Sequence, residues 1–481
     1  MLNTTLVEIL RTFTRDELKK LELFINSPYF NRKSVVIKLF DILKNYYPEF
    51  TGSKLDRKEI WKKLYPDKKF NYGVMKNILY DLTGLTQRFL AEETFSNNEF
   101  KINYWLLEQF CSKGLKKNFH SKYLTLEKNL KDSGNIPDIY SQISELQWLK
   151  YEYTDSLKTN DGEIVYSISD NLIYDFLINL FKLYNNQACE RISVNYSDDS
   201  GLLDKFIENL NIEKIIESIK LKSDENFNII NLYYQIYLSL SDNQNENSYF
   251  RFKELLVLND KILPKNEQIN LYSCLTTALT QNKKIRNKLY EYNDIYKLMI
   301  ERNLLLNDEG LISVVDFTSV IKFAAMSKDS EFIIMFMDEY KDKLIPAFKI
   351  NLEKYANAYL NFSNNNFINS LDLLKKIKFD IPSFKYEIRN LQIMNFYELK
   401  DFESLEYILD SYKHYAYNSR NLSLSAKINI QNFIKYITAL CRFTENKKSV
   451  EIQQLRKEIE NDKIITKYWL LEKVNELDNL K

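Results

Sequence analysis

The chain has 481 residues, 45% of them hydrophobic and 28% charged, the balance of a folded globular protein long enough for two or three ordinary domains or one extended repeat array. Its 67 basic and 66 acidic side chains leave a formal charge of +1, which excludes a global field steering it to nucleic acid or anionic lipid. Eight glycines leave little room for glycine-rich phosphate loops or tight strand turns, and seven prolines leave long stretches free to be helical. The 34 Tyr and 30 Phe follow, with the abundant Ile, Asn and Lys, from an AT-rich coding sequence, so their number alone does not indicate stacking on bases.

Residues 1–95 read as a bundle of four or five helices. Thr14-Arg15-Asp16-Glu17 has the form of a capping box, followed at helical spacing by Leu18, Leu21, Phe24 and Ile25. Ser27-Pro28-Tyr29-Phe30-Asn31 interrupts, and Asn31 is placed to cap the next apolar stripe, Val36, Leu39, Phe40 and Leu43. Asp56 opens a short helix carrying Ile60, Trp61 and Leu64 and stopped by Pro66; Asn71 opens a longer one presenting Met75, Ile78, Leu79, Leu82, Leu85 and Phe89. This segment holds 17 basic against 12 acidic side chains, and Lys54, Arg57, Lys58, Lys62, Lys63, Lys68 and Lys69 gather around Trp61, Tyr65 and Phe70. Basic groups beside aromatics suit a nucleic-acid backbone, so this is the candidate basic patch. The competing and preferred reading is a solvated lysine face whose aromatics point to the core.

Residues 96–310 stay helical, with long members. One runs from Pro137 to Leu157 with Ile143, Leu146, Leu149 and Tyr153 on a single face, and ends in the turn Lys158–Gly162. Further polar breaks fall at Asn195–Gly201 and Ser241–Asn247; Gly162–Ser167 is the nearest approach to a strand and is set aside. Cys111, Cys189, Cys274 and Cys441 are scattered, without a Cys-x-x-Cys pair, and read as reduced thiols. The two histidines, His120 and His414, have no matching partner nearby in sequence, and no phosphate-loop, dinucleotide, zinc or calcium motif is present. No enzyme, no metal and no cofactor is therefore expected. Glu8 precedes any apolar leader, and the run Asn171–Tyr184 is broken by Asp175 and Lys182, so neither a signal peptide nor a membrane span is expected, and the location expected is cytoplasmic.

In 311–481 an aromatic recurs. Phe332, Phe367 and Phe402 stand 35 residues apart, each read as opening the second helix of a pair. Met335, Ser370 and Leu405 follow three residues on, Glu339, Leu374 and Leu409 seven on, and Pro346 and Pro382 close two units. Such a period marks a helical solenoid, in which each unit buries its apolar face on its neighbours. The middle unit, Leu352–Pro382, resembles a tetratricopeptide repeat through Ala358, Asn365-Asn366-Phe367, Ser370, Leu374 and Pro382. Met335 and Leu405 depart from that family's small residue, and its Trp-Leu-Gly is absent. The resemblance implies helix pairs stacked in a right-handed superhelix whose first helices line a groove for a peptide or partner protein. Carried onto this chain, it implies Tyr355, Tyr359 and Phe362 in the middle unit and Asn390, Met394 and Tyr397 in the next. Ser27–Asn31 and Leu64-Tyr65-Pro66 also look similar to the opening of an uncharacterised bacterial family, which implies no activity.

The expectation is an all-α protein: an N-terminal helical bundle (1–95), long irregular helical pairs (96–310), and a TPR-like α-α superhelical array with C-terminal capping helices (311–481). The function expected is a non-catalytic scaffold or adaptor for a protein or peptide. The alternative is a transcriptional or RNA regulator with a nucleic-acid-binding bundle and partner-sensing repeats.

Overall fold

With few prolines and glycines to interrupt it, the chain folds as helix. The computed structural model describes residues 4–51, 55–132, 137–156, 162–193, 201–378, 382–419, 422, 424–445, 449–462, 464 and 466–479. Among the described residues there are 24 α-helices, one 3-10 turn and no strand, so the fold class is all-α. Lys54, the turn residues 158–161 and the loop residues 195–200 lie outside the described residues. The chain divides into two compact units, residues 1–132 with 142–168, and residues 133–141 with 169–481, so the division falls inside the 96–310 stretch.

The first unit opens with α1 (Thr5–Arg11), α2 (Arg15–Asn26), α3 (Ser34–Lys44), α4 (Arg57–Leu64) and α5 (Tyr72–Ser96), which share one hydrophobic core running from Leu6 to Phe89. Their starts follow local chemistry. The Thr14–Glu17 capping box is complete, with the Thr14 hydroxyl accepting from the Glu17 N–H at 3.2 Å and the Thr14 N–H donating to Glu17 Oε2 at 2.6 Å. Asp56 and Asn71 cap α4 and α5. Asn31 does something else: its Oδ1 accepts from the Lys33 N–H at 2.9 Å and its Nδ2 donates to the Ile25 carbonyl at 2.9 Å, while Lys33 occupies the cap position of α3. That buried amide folds the segment back, so that Phe30 stacks on Phe24 at 4.1 Å. Next come α6 (Glu99–Ser112), α7 (Lys116–Asp132), α8 (Ile139–Ser156) and α9 (Gly162–Ser193), the last beginning in helix where Gly162–Ser167 offered its weak strand pattern.

The second unit continues with α10 (Leu202–Glu208), α11 (Ile212–Lys222), α12 (Asp224–Ser241), α13 (Glu246–Asn259), α14 (Lys265–Gln281), α15 (Lys288–Glu301), α16 (Val314–Met326), α17 (Ser330–Tyr340), α18 (Lys349–Ser363), α19 (Phe367–Lys375), α20 (Pro382–Glu398), α21 (Phe402–Asn418), α22 (Leu424–Glu445), α23 (Ser449–Asn461) and α24 (Lys467–Asn479). From α11 on, each helix packs on the next; α12 also packs on α14, α16 on α18, α18 on α20 and α22 on α24.

A single turn recurs in α16–α21, and its spacing corrects the aromatic period. Lys328, Asn365 and Lys400 sit in the left-handed region at φ 61°, 61° and 57°, 37 and 35 residues apart. Each ends a helix in a Schellman motif: Asp329 N–H donates to Ala324 O at 2.9 Å, Asn366 N–H to Asn361 O at 2.8 Å, and Asp401 N–H to Phe396 O at 3.1 Å. Those three donors are also the cap residues of α17, α19 and α21. Counted from the caps, Phe367 and Phe402 are first in their helices but Phe332 is third, because α17 starts at Ser330. The equivalent core positions are Ile333, Ser370 and Leu405, each with no exposed surface, whereas Met335 is 56% exposed and Glu339 is on the surface. Pro382 does not close a unit but begins α20, where its missing N–H leaves no bond unmade. Between α15 and α16 the turn at Asn303 leads into a loop instead, tied by backbone bridges joining Leu306, Ile312 and Leu344. The stride lapses there because no helix follows the turn directly.

Helices of the second unit are joined by a repeated polar group, a carboxylate that takes a cation and an aromatic donor from other helices. Asp260, just after α13, accepts from Tyr272 OH of α14 at 2.9 Å and from Arg302 Nε at 2.8 Å. Glu291 accepts from Tyr249 OH at 3.2 Å and from Lys253 Nζ at 2.7 Å, both on α13. Glu267 takes Tyr233 OH of α12 and Lys182 Nζ of α9, the latter at 3.2 Å. Glu398 takes Trp469 Nε1 and Lys473 Nζ of α24, both at 2.8 Å. A carboxylate out of water needs both partners, and the ring supplies apolar area along with its donor. Burial, and then the neighbouring carboxylate, holds the Tyr233, Tyr249 and Tyr272 phenols above their ordinary pKa, so they remain donors.

Replacing Tyr272 by Phe keeps the ring and removes one bond to a charged acceptor, which lowers stability by about 1.5–3 kcal/mol. Asp260→Ala strands Arg302, which is 21% exposed, and costs about 3 kcal/mol. In denaturant titrations the double variant loses less than the sum of the two, because both act through one carboxylate.

Candidate functional site

The six positions expected to line a groove are interior. Tyr355, Tyr359, Phe362, Asn390, Met394 and Tyr397 are none of them more than 8% exposed. The reason is that α18 packs on α16, α17, α19 and α20, so both of its flanks face other helices. Tyr355 and Tyr359 meet edge to face at 4.9 Å, and Tyr355 also touches Phe384 of α20 at 5.0 Å. Asn390 accepts from Tyr412 OH of α21 at 3.0 Å, and Tyr397 packs on Trp469 of α24 at 5.3 Å. These side chains hold helices together, and the groove assignment is corrected accordingly.

The basic patch divides by residue type. Lys58, Lys62, Lys63, Lys68 and Lys69 are exposed and Arg57 is half-buried. Trp61 is 4% exposed, donates Nε1–H to the Lys68 carbonyl at 2.9 Å, and packs with Tyr65 and Phe70, so its ring is committed to the core. Lys62 pairs with Glu59 at 2.7 Å; Lys68 lies over Tyr65, Lys63 over Tyr46 and Arg57 over Tyr72 at 5.3, 5.7 and 5.3 Å. What remains is a row of solvated cations on α4 and the loop after it.

His120 and His414 are both exposed, and His414 stands 3.6 Å from Asp410 on its own helix. Among the described residues, no group of three or more His, Cys, Asp or Glu side chains is placed to hold a metal ion, and no helix is long and apolar enough to cross a membrane. The Asp260, Glu267, Glu291 and Glu398 carboxylates are occupied by the partners described above.

Two arrangements escaped the sequence. Cys189 of α9 and Cys274 of α14, 85 residues apart, bring their sulfurs within 4.0 Å. On the surface, α20 and α21 form a recess of about 610 Å³, lined by Gln392 and Phe396 from the first helix and Glu403, Ser404, Tyr407, Ile408 and Ser411 from the second. Tyr407 is 82% exposed at this recess, and Phe396 and Ile408 are half-buried. In the sequence the five recess residues of α21 lie on the side opposite Leu405, Leu409 and Tyr412, which is why an apolar stripe does not reveal them.

Lys288 is a half-buried cation, donating to the Thr280 carbonyl at 3.0 Å. Burial, aided by the charge of nearby Lys467, pulls its pKa down to about 8 from an ordinary 10.5. The folded chain therefore releases this proton before the unfolded chain does. The penalty is fully present below about pH 8 and is relieved as pH rises toward 10.5. Lys288→Met removes that rise, so denaturation midpoints of wild type and variant, compared across this interval, converge as pH increases.

Comparison with known proteins found no matching family, no similar curated protein and no similar solved structure.

Proposed function

We propose that this protein is a non-catalytic scaffold, built on a TPR-like array in the second unit, that holds a protein or peptide partner on the surface of α20 and α21. The observation that carries this reading is the recess itself. It offers an exposed aromatic (Tyr407), two partly covered apolar side chains (Phe396 and Ile408) and polar groups able to bond a peptide backbone (Gln392, Ser404, Ser411). A tyrosine fixes only two side-chain torsions on binding while supplying a large contact area and a hydroxyl, and this economy favours it at recognition surfaces. At about 610 Å³ the recess is large enough for one or two side chains of a bound segment. The test is affinity capture with the intact chain and with Tyr407→Ala, an exposed position whose truncation leaves the fold in place. Capture of a specific partner that falls at least tenfold in the variant, about 1.4 kcal/mol, is the expected result. Equal recovery by both proteins counts against the recess.

A second reading is favoured by the solvated row Lys58, Lys63, Lys68 and Lys69, for which no carboxylate partner is found among the described residues. It is a sequence-independent grip on a nucleic-acid backbone, without base stacking, since Trp61 is buried. Filter binding of the full chain to duplex DNA and single-stranded RNA over a salt series decides it. If the reading holds, replacing Lys58, Lys63 and Lys69 by Glu flattens the dependence of log K on log salt by about 2.7 on duplex DNA. Binding that is absent, or indifferent to salt, removes it.

A further inference from the structure

α9 and α14 touch in the second unit at two places, evenly spaced on both helices. Lys182 meets Glu267 and, seven residues along both helices, Cys189 meets Cys274. Seven residues are two helical turns, so the equal spacing means that the helices run in the same direction along one seam. At the far end of that seam the sulfurs are 4.0 Å apart, with Cys189 half-buried and Cys274 at 7% exposure. A disulfide requires them to approach by about 2 Å, a movement of the scale that side-chain rotation supplies.

We propose that Cys189 and Cys274 form a peroxide-oxidisable dithiol, in which Cys189 is attacked first and Cys274 closes the disulfide that links α9 to α14. The assignment of roles follows from position. Cys189 is the more accessible, and the hydrogen bond it shares with Cys274, outweighing burial, draws its thiol below the ordinary value, which favours the thiolate there. Cys274 is held well above its ordinary value, first by that shared bond and then by burial, and serves as the resolving thiol. In the first step the Cys189 thiolate attacks one oxygen of hydrogen peroxide; the O–O bond breaks, a sulfenic acid forms, and the departing hydroxide takes a proton to leave as water. In the second step Cys274 sulfur attacks the sulfenic sulfur, the S–O bond breaks, and the Cys274 proton leaves with that oxygen as a second water. The two thiols are oxidised by two electrons and the peroxide is reduced.

Cys111 is an internal reference. Burial pushes its thiol up to about 11, so it reacts at least about tenfold more slowly. The experiment treats the full-length protein with hydrogen peroxide, quenches with an alkylating agent and maps peptides by mass spectrometry without reduction. The expected product is a peptide joining Cys189 to Cys274, two hydrogen masses lighter than the separate thiols and restored by dithiothreitol. Cys189→Ser abolishes it, and Cys274→Ala leaves a sulfenic acid at Cys189 that a dimedone probe traps. Four outcomes overturn the proposal: a sulfinic acid at Cys189 in the wild type, a disulfide joining two chains, loss of two hydrogens persisting in Cys189→Ser, or both thiols still alkylatable once Cys111 is oxidised.

Discussion

Apolar packing between helices is strong but has little sense of position, and a stack of helices held only by it is free to slide by a turn. The groups built around Asp260, Glu267, Glu291 and Glu398 remove that freedom. Each carboxylate is usable inside the protein only where a cation and an aromatic O–H or N–H arrive together, and these arrive from helices distant in sequence: α9 and α12 for Glu267, α13 for Glu291, α24 for Glu398. A displaced helix would leave Asp260 buried, and the three largely covered glutamates, without their partners, so the polar groups favour one alignment of neighbouring helices. They also give the tyrosines of this unit two tasks at once, filling space with the ring and completing a carboxylate with the hydroxyl.

The local features were readable from the chain and the relational ones were not. Thr14 with Glu17, Asp56 and Asn71 start helices through bonds to residues two or three positions on, so a short window contains both partners. That the described residues hold no strand was equally legible, from the shortage of turn glycines and the period of the apolar residues. The phase of the repeat was misread because Phe332 lies 35 residues before Phe367 by coincidence of type, whereas the structural marker, a left-handed residue at Lys328, Asn365 and Lys400, carries no glycine to announce it. The six aromatic and polar positions of α18 and α20 show why a groove could not be read: a helix facing a partner and a helix facing another helix use the same apolar spacing. The contact between Cys189 and Cys274 and the placing of Lys288 depend on helices brought together only by the fold.

Separating the core from the surface changes where recognition is sought. The conspicuous aromatics of α18 and α20 are spent on packing, and the available ones, such as Tyr407, sit among polar residues on the outer face of a second helix. Side chains on that outer face place few demands on the core, so the packing of these helices and their surface chemistry are largely independent. The basic row on α4 and the following loop has the same character, since Trp61 is anchored beneath it.

The left-handed turn residues carry one more consequence. A side chain at such a φ costs about 1 kcal/mol or more relative to glycine, yet Lys328 and Lys400 bear long cationic chains there and Asn303 and Asn365 bear amides, with glycine used at Gly114 and Gly310. At Lys328 the side chain is used: its Nζ pairs with Glu472 of α24 at 2.8 Å, a link that glycine could not make.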